Sequence, residues 1–110
     1  MPNKLCGLLG ICKRAGALTV GFDAVCADMQ NGNARLVLLA ADAAEKTAKE
    51  IHFIAKTANC TVAVIALAKA DIAAALGLQK PIAVLATADD GFAAAMKKYI
   101  PAELKEDTAL

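Results

Sequence analysis

Apolar residues fall at Leu5, Leu8, Leu9 and Cys12, spaced i, i+3, i+4 and i+7. That spacing lines one face of a helix, predicted over about residues 3–15, and Gly16 is its natural stop. Residues 18–20 read as a very short strand. The helical spacing returns at Phe22, Val25, Cys26 and Met29 and ends at the Asn31-Gly32-Asn33 turn. Then the pattern changes. LVLLA at 36–40, VAVIA at 62–66 and IAVLA at 82–86 are apolar runs with no polar alternation. Such runs suit strands covered on both faces. Helical patterns lie between them. Residues 44–58 are expected to bury Ala48, Ile51, Ile54, Ala55 and Ala58. Residues 69–76 end at Gly77. A last helix over about 91–99 follows Asp89 and Asp90 as cap candidates and is expected to bury Phe92, Met96 and Tyr99.

Helix and strand thus alternate throughout, as α-β-α-β-α-β-α-β-α. The fold class expected is α/β: a three-layer α/β/α sandwich around a mixed four-stranded sheet. Residues 1–100 read as one domain. Pro101 stops the last helix, and 101–110 read as a loose C-terminal tail.

Composition agrees. A chain of 110 residues can bury one core without staples. With 58% apolar and 21% charged residues it is globular, not disordered. Alanine is the commonest residue, and small side chains let helices lie close on a sheet. The net charge of +1 gives no general basic excess, so any nucleic-acid contact must rest on a local patch. No apolar run approaches the roughly 20 residues of a membrane span. The run at 5–12 is short, and Lys13 and Arg14 close it on the wrong side for a leader. The expectation is a cytoplasmic protein with no membrane partner.

The spacings of Cys6, Cys12, Cys26 and Cys60 fit neither a CxxC pair nor a zinc pattern. Cys6, Cys12 and Cys26 fall on apolar helix faces and read as buried thiols in a reducing compartment. His52, the one histidine, sits mid-helix between Ile51 and Phe53, and the chain has no serine. Cys60 follows Asn59 at a helix end with no base marked for it. Phosphate loops of the GxxxxGK[ST] or GxGxxG type are absent. Gly7 and Gly10 lie inside a helix pattern, where close packing explains them. No catalytic residue, metal ligand or cofactor is therefore expected.

One stretch invites a binding role. In CKRAGALTVG, Lys13 and Arg14 end a helix, and Gly21 opens the next after a strand of three residues. A helix N-terminus offers free N–H groups and the positive end of the dipole. With cations nearby it can receive a phosphate or a base edge. From the residues alone the simpler reading is preferred, in which Lys13 and Arg14 complement the carboxyl end of their own helix.

KLCGLLGICKRAGALTVGFDAV, followed by ARLVLLAADAAEKTAKEI, resembles the L-seven-Ae/L-thirty-e ribosomal-protein superfamily in its bacterial YlxQ-like branch. The likeness covers about the first hundred residues. Its specific features are KRAG, the short strand, Gly21, and LVLLA-x-D ending at Asp42. The resemblance implies an α/β/α sandwich that is not an enzyme and binds kink-turn RNA. It implies structured RNA as partner, ribosomal RNA first, with ribosomal or RNA-processing proteins nearby and a monomeric state. In that family the second helix grips RNA through Gly-x-(Asn or acid)-Glu-x-x-Lys. Gly21 matches the glycine and Asp23 the second slot, whereas Ala24 and Ala27 replace the glutamate and the lysine. A second contact loop corresponds to Ala66-Leu67-Ala68-Lys69, where Lys69 keeps a basic position. Ala17, Thr19 and Val20 stand where strong binders often carry cations. By this resemblance Gly21, Phe22 and Asp23 would meet base edges, and Lys13, Arg14 and Lys69 would meet phosphates. Phe22 also belongs to the apolar face 22/25/26/29 and competes as a core anchor. The near-neutral charge and the alanines at 24 and 27 favour a second reading, a protein-interaction module on the same fold with lost or weakened RNA binding.

Overall fold

The computed structural model describes residues 4–100 and 105–106. Nine elements follow the expected order: α1 (Lys4–Arg14), β1 (Leu18–Val20), α2 (Phe22–Gln30), β2 (Leu36–Leu39), α3 (Glu45–Ala58), β3 (Thr61–Val64), α4 (Lys69–Leu76), β4 (Val84–Thr87) and α5 (Asp90–Lys97). A two-residue strand, β5 (Lys105–Glu106), pairs antiparallel with β3. The rest of the tail expected over 101–110 lies outside the described residues. The sheet order is β1-β4-β2-β3-β5. β2 and β3 run parallel, with Leu36 opposite Thr61, and β4 runs antiparallel to both β1 and β2. The four strands expected do form a mixed sheet, and β5 extends it.

Alternate residues of each strand feed two separate cores. On one face Leu36, Leu38, Ala63 and Leu85 pack against Leu5, Leu9 and Cys12 of α1, Ile72 and Leu76 of α4, and Met96 of α5. On the other, Val37, Leu39, Val62, Val84 and Ala86 pack against Val25 and Met29 of α2 and Ile51 and Ala55 of α3. This is the three-layer sandwich, and it explains why the central runs show no polar alternation. Burying each large aliphatic side chain contributes about 1.5–3 kcal/mol.

Differences from the sequence reading have local causes. The run at 82–86 becomes a strand over 84–87 instead. Ile82 donates its N–H to the Lys69 carbonyl, outside the ladder. Thr87 joins because its hydroxyl is fully used: it donates to the Ala17 carbonyl at 2.7 Å and accepts from the Asp89 N–H at 3.2 Å and from the Cys12 thiol at 3.8 Å. Tyr99 is exposed, because α5 ends at Lys97 and Ile100 takes the buried position. Asp89 caps α5 as expected, its carboxylate accepting from the Phe92 N–H at 2.9 Å. Cys6 and Cys26 are half-buried rather than buried, while Cys12 and Cys60 lie inside. The close packing expected at two helix glycines is found at Gly10, which is buried where α1 meets the Ala75 carbonyl; Gly7 is exposed with open space around it.

Chain direction sorts the two ends of the sheet. At one end, called the upper end, lie the carboxyl ends of β1, β2 and β3 and the amino end of β4. Of the five helices described, α2, α3 and α4 each follow one of those strand ends and so begin there. α1 begins there too, since Lys4 and Leu5 line a pocket with Ala66 and Leu67, just past β3. α5 alone starts at the lower end, after Thr87.

Thr87 is 1% exposed and ties β4, the α1–β1 turn and the cap of α5 together. Thr87→Val keeps the shape but leaves the Ala17 carbonyl without its donor. The expected loss is about 1–2 kcal/mol, or about 5–10 °C in Tm. A thermal melt with an unchanged midpoint would show that this hydroxyl does not hold the lower end together.

Candidate functional site

The amino end of α2, like that of α3, has no side-chain cap. Gly21 caps it with φ 101° and ψ 153°, a conformation that belongs to glycine, and no side chain caps the helix. The Gly21 N–H bonds the Val84 carbonyl and the Gly21 carbonyl accepts from Val25, both at 3.0 Å. The N–H groups of Phe22, Asp23 and Ala24 are therefore the helix's orphan donors. A Cβ placed on Gly21 would meet nothing within 4 Å, so no side chain crowds the cap position itself. Asp23, Ala24 and Ala27 are exposed on the flank of α2. Phe22 is half-buried and packs against the second core, so it serves as an anchor whatever else it does.

The amino end of α4 lies at the same end of the sheet, on the opposite face. Its cap residue, Ala68, has no side chain to offer, and Asp42 supplies one from the β2–α3 turn. The Asp42 carboxylate accepts from the Lys69 N–H at 2.8 Å. The acid that ends LVLLA-x-D is thus a helix cap acting across the sheet end. The loop before α4 is held by the Ala41 N–H, which donates to the Leu67 carbonyl at 2.8 Å. Lys69 is half-buried at the first turn of α4.

Of the sequence-predicted residues, Gly21, Phe22, Asp23 and Lys69 share the upper end, linked through the segment entering β4: the Gly21 N–H donates to the Val84 carbonyl and the Lys69 carbonyl accepts from the Ile82 N–H. The structure does not bring Lys13 and Arg14 to them. β1 runs between the two groups: Leu18, next to the α1 end, pairs with Thr87 at the lower end, and Val20 pairs with Leu85 toward the upper. Lys13 and Arg14 occupy the last turn of α1, where their charge complements the carboxyl end of the helix. Arg14 reaches back along its own helix, its guanidinium close to Gly10. Two other cations join the upper end unannounced by any motif. Lys4 opens α1, and Lys80 is exposed two residues before Ile82, which bonds Lys69. The signal that could have placed them was topological, because a strand entering the sheet antiparallel to β2 must start where β2 ends.

Thr19 is committed elsewhere: its hydroxyl donates to the Asp28 carboxylate, joining β1 to α2. Three thiols, Cys12, Cys26 and Cys60, are pushed above their ordinary ionisation range. Burial pushes the Cys12 thiol up, against the Thr87 hydrogen bond and with further help from Asp89. Burial likewise raises Cys60, opposed by Arg35, and Cys26, assisted by Asp23 and Glu50. Among the described residues no disulfide joins the cysteines and no group of three metal-ligating side chains forms.

The element order, the mixed sheet with helices on both faces and the glycine-led α2 define a small three-layer α/β/α domain. The chain belongs to the ribosomal protein L7Ae/L30e/S12e/Gadd45 family, whose profile matches residues 3–97. It is similar to the RNA-binding protein YlxQ of Enterococcus faecium, 35% identical over 99 residues, covering 89% of this chain and 92% of that one. The RNA-binding protein YlxQ of Bacillus subtilis (strain 168) is 35% identical over 89 residues, covering 78% and 84%. Among solved structures, a protein of unknown function from Bacillus halodurans superposes with a TM-score of 0.81 at 28% identity, over 89% of this chain and 97% of that one. The Giardia lamblia 15.5kD RNA binding protein shares the fold, with a TM-score of 0.69 at 18% identity, over 90% and 87%.

Gly21→Ala forces a side chain into a backbone conformation it does not adopt. Stability should fall by about 1–3 kcal/mol, although nothing crowds the position. A denaturation midpoint equal to wild type would mean that the turn relaxes without cost.

The raised thiols set a second expectation. In the unfolded chain a thiol ionises at its ordinary value, so above about pH 8.5 the unfolded state binds fewer protons than the folded one and stability falls as pH rises. Cys60→Ala should make that fall shallower between about pH 8 and pH 9.5. Urea midpoints across this range measure it, and parallel curves for the two proteins would deny Cys60 the role.

Proposed function

We propose that this chain is a small, non-enzymatic, cytoplasmic RNA-binding protein that acts as a single copy. Its contact surface is the upper end of the sheet, and its partner is structured, bent RNA of the kink-turn kind, with ribosomal RNA the first candidate. Ribosomal or RNA-processing proteins would then be its neighbours. The observation that carries the reading is the gathering of four helix amino ends beside the open N–H groups of α2. Each amino end bears roughly half a positive charge. Lys4, Lys69 and Lys80 add full ones, set against Asp23, Glu45 and Asp71 in the first turns of α2, α3 and α4. Phosphates suit such a surface without any excess in total charge. Bases splayed from a bent RNA can meet the free N–H groups of Phe22 and Asp23. The names of the Enterococcus and Bacillus subtilis relatives support the same partner class. Lys13 and Arg14 fall outside this contact.

One feature favours the protein-interaction reading instead. Phe53 is 73% exposed on α3, beside a groove lined by Met29, Ile54 and Ala58.

Ala24→Glu combined with Ala27→Lys separates the two readings. Both positions are exposed on α2 and outside its buried set of Val25 and Met29, so the core is untouched. The glutamate suits a helix amino end, and the lysine adds one phosphate contact. In a titration of fluorescent kink-turn RNA, the double variant should bind roughly ten-fold more tightly or better. Its salt dependence should steepen by about one unit. A folded double variant that binds no better would remove RNA from this edge and leave the protein-interaction reading.

A further inference from the structure

The exposure of Tyr99 is the least expected surface feature of this fold, and its surroundings are cationic. Tyr99 follows the end of α5 and is 42% exposed. It closes a shallow pocket of about 250 Å³ with Lys4, Leu5, Ala66 and Leu67. Lys97 and Lys98 immediately precede it, and both are exposed. Of the described acids at this end of the α1/α4 layer, Asp42 is committed to the Lys69 N–H and Asp71 lies in the first turn of α4. Lys4, Lys69, Lys97 and Lys98 therefore outnumber them. The pocket is also continuous with the upper end of the sheet. Leu67 lines it while its carbonyl holds Ala41, and Lys69 follows two residues later. It lies on the opposite face of the sheet from α2, since α1, α4 and α5 cover one face and α2 and α3 the other.

We propose that this pocket takes an unpaired base from a single-stranded flank of the RNA, stacked on the Tyr99 ring, while Lys4, Lys97 and Lys98 meet the phosphates on either side. The proposal rests on the RNA-binding reading and extends it across the sheet end. An aromatic face flanked by cations is the recurring platform for single strands, and it tolerates any base because each has a π-face. The apolar floor of Leu5 and Leu67 suits a base edge, and the rim suits its backbone. The site would add reach to the α2 contact without reading sequence.

The chain contains one tyrosine and no tryptophan, so its intrinsic emission reports on Tyr99 alone. The probes are a kink-turn RNA and the same RNA with a single-stranded extension of about six nucleotides. The extension should tighten binding and quench the tyrosine emission. Tyr99→Ala should weaken binding of the extended RNA roughly five-fold or more and leave the unextended RNA unaffected. Tyr99→Phe should retain the gain. Lys97→Ala with Lys98→Ala should lower the salt slope for the extended RNA by about two. Tyr99 is on the surface, so none of these variants threatens the core. If the unextended RNA binds but the extension adds neither affinity nor quenching, the pocket proposal is overturned and the α2 contact stands. If neither RNA binds, both fall. Quenching by an acidic peptide in that case would assign the pocket to protein.

Discussion

Burial of β2 on both faces is the constraint on which the rest of this structure depends. Leu36 and Leu38 point into one core, Val37 and Leu39 into the other, and all four are essentially inaccessible. A strand so placed cannot border solvent on either side. Helices must cover both faces, which fixes the three layers and leaves only the ends and outer rims of the sandwich for contact with anything else. The small side chains on these helices, alanine above all, let the layers approach closely.

The same constraint sets the electrostatics. β2 and β3 are parallel, so the chain must cross back between them, and α3 does so antiparallel to both. α2 returns from the end of β1 and α4 from the end of β3 in the same sense. Their amino ends, with that of α1, collect at one edge as a consequence of topology. The carboxyl ends collect at the other, where Lys13 and Arg14 sit in the last turn of α1 and Lys56 in that of α3. The side chains largely offset these dipoles, with Asp23, Glu45 and Asp71 in first turns at one end and Lys13, Arg14 and Lys56 in last turns at the other, so what remains at the upper end is local: open N–H groups and individual lysines.

The layers were legible in the sequence because each element has its own period. Residues 69–76 were placed to the residue, since Gly77 ends the helix sharply and Asp71 suits its first turn. The grouping of the site was less legible. Lys13 and Arg14 stand only eight and seven residues from Gly21 in the chain, yet a three-residue strand is enough to carry them to the opposite end. Lys80 was invisible for the converse reason. It is distant in sequence from Gly21, and only the antiparallel entry of β4 brings its segment to the upper end. Tyr99 follows helical spacing from Met96 and looked internal, but the helix stops two residues earlier and Ile100 takes the space. Spacing along a chain reports faces of elements. It does not report which end of a sheet an element's terminus reaches.

Gly21 is required by the fold before any partner is considered. Its positive φ lets the chain leave β1, bond Val84 and start α2 in a single step. That need exists whether or not anything binds, so the glycine alone is a signature of the fold. Ala24 and Ala27 carry no such obligation. They are exposed, touch no buried set and can change with the partner while the sandwich stays intact. On the proposed RNA-binding reading, discrimination between partners would fall to the exposed flank of α2 and to the separate lysines of the upper end. Affinity for RNA, on this frame, has to be assembled from helix amino ends and several separate cations. Such a sum is salt-sensitive and depends on how far the contact surface extends beyond α2.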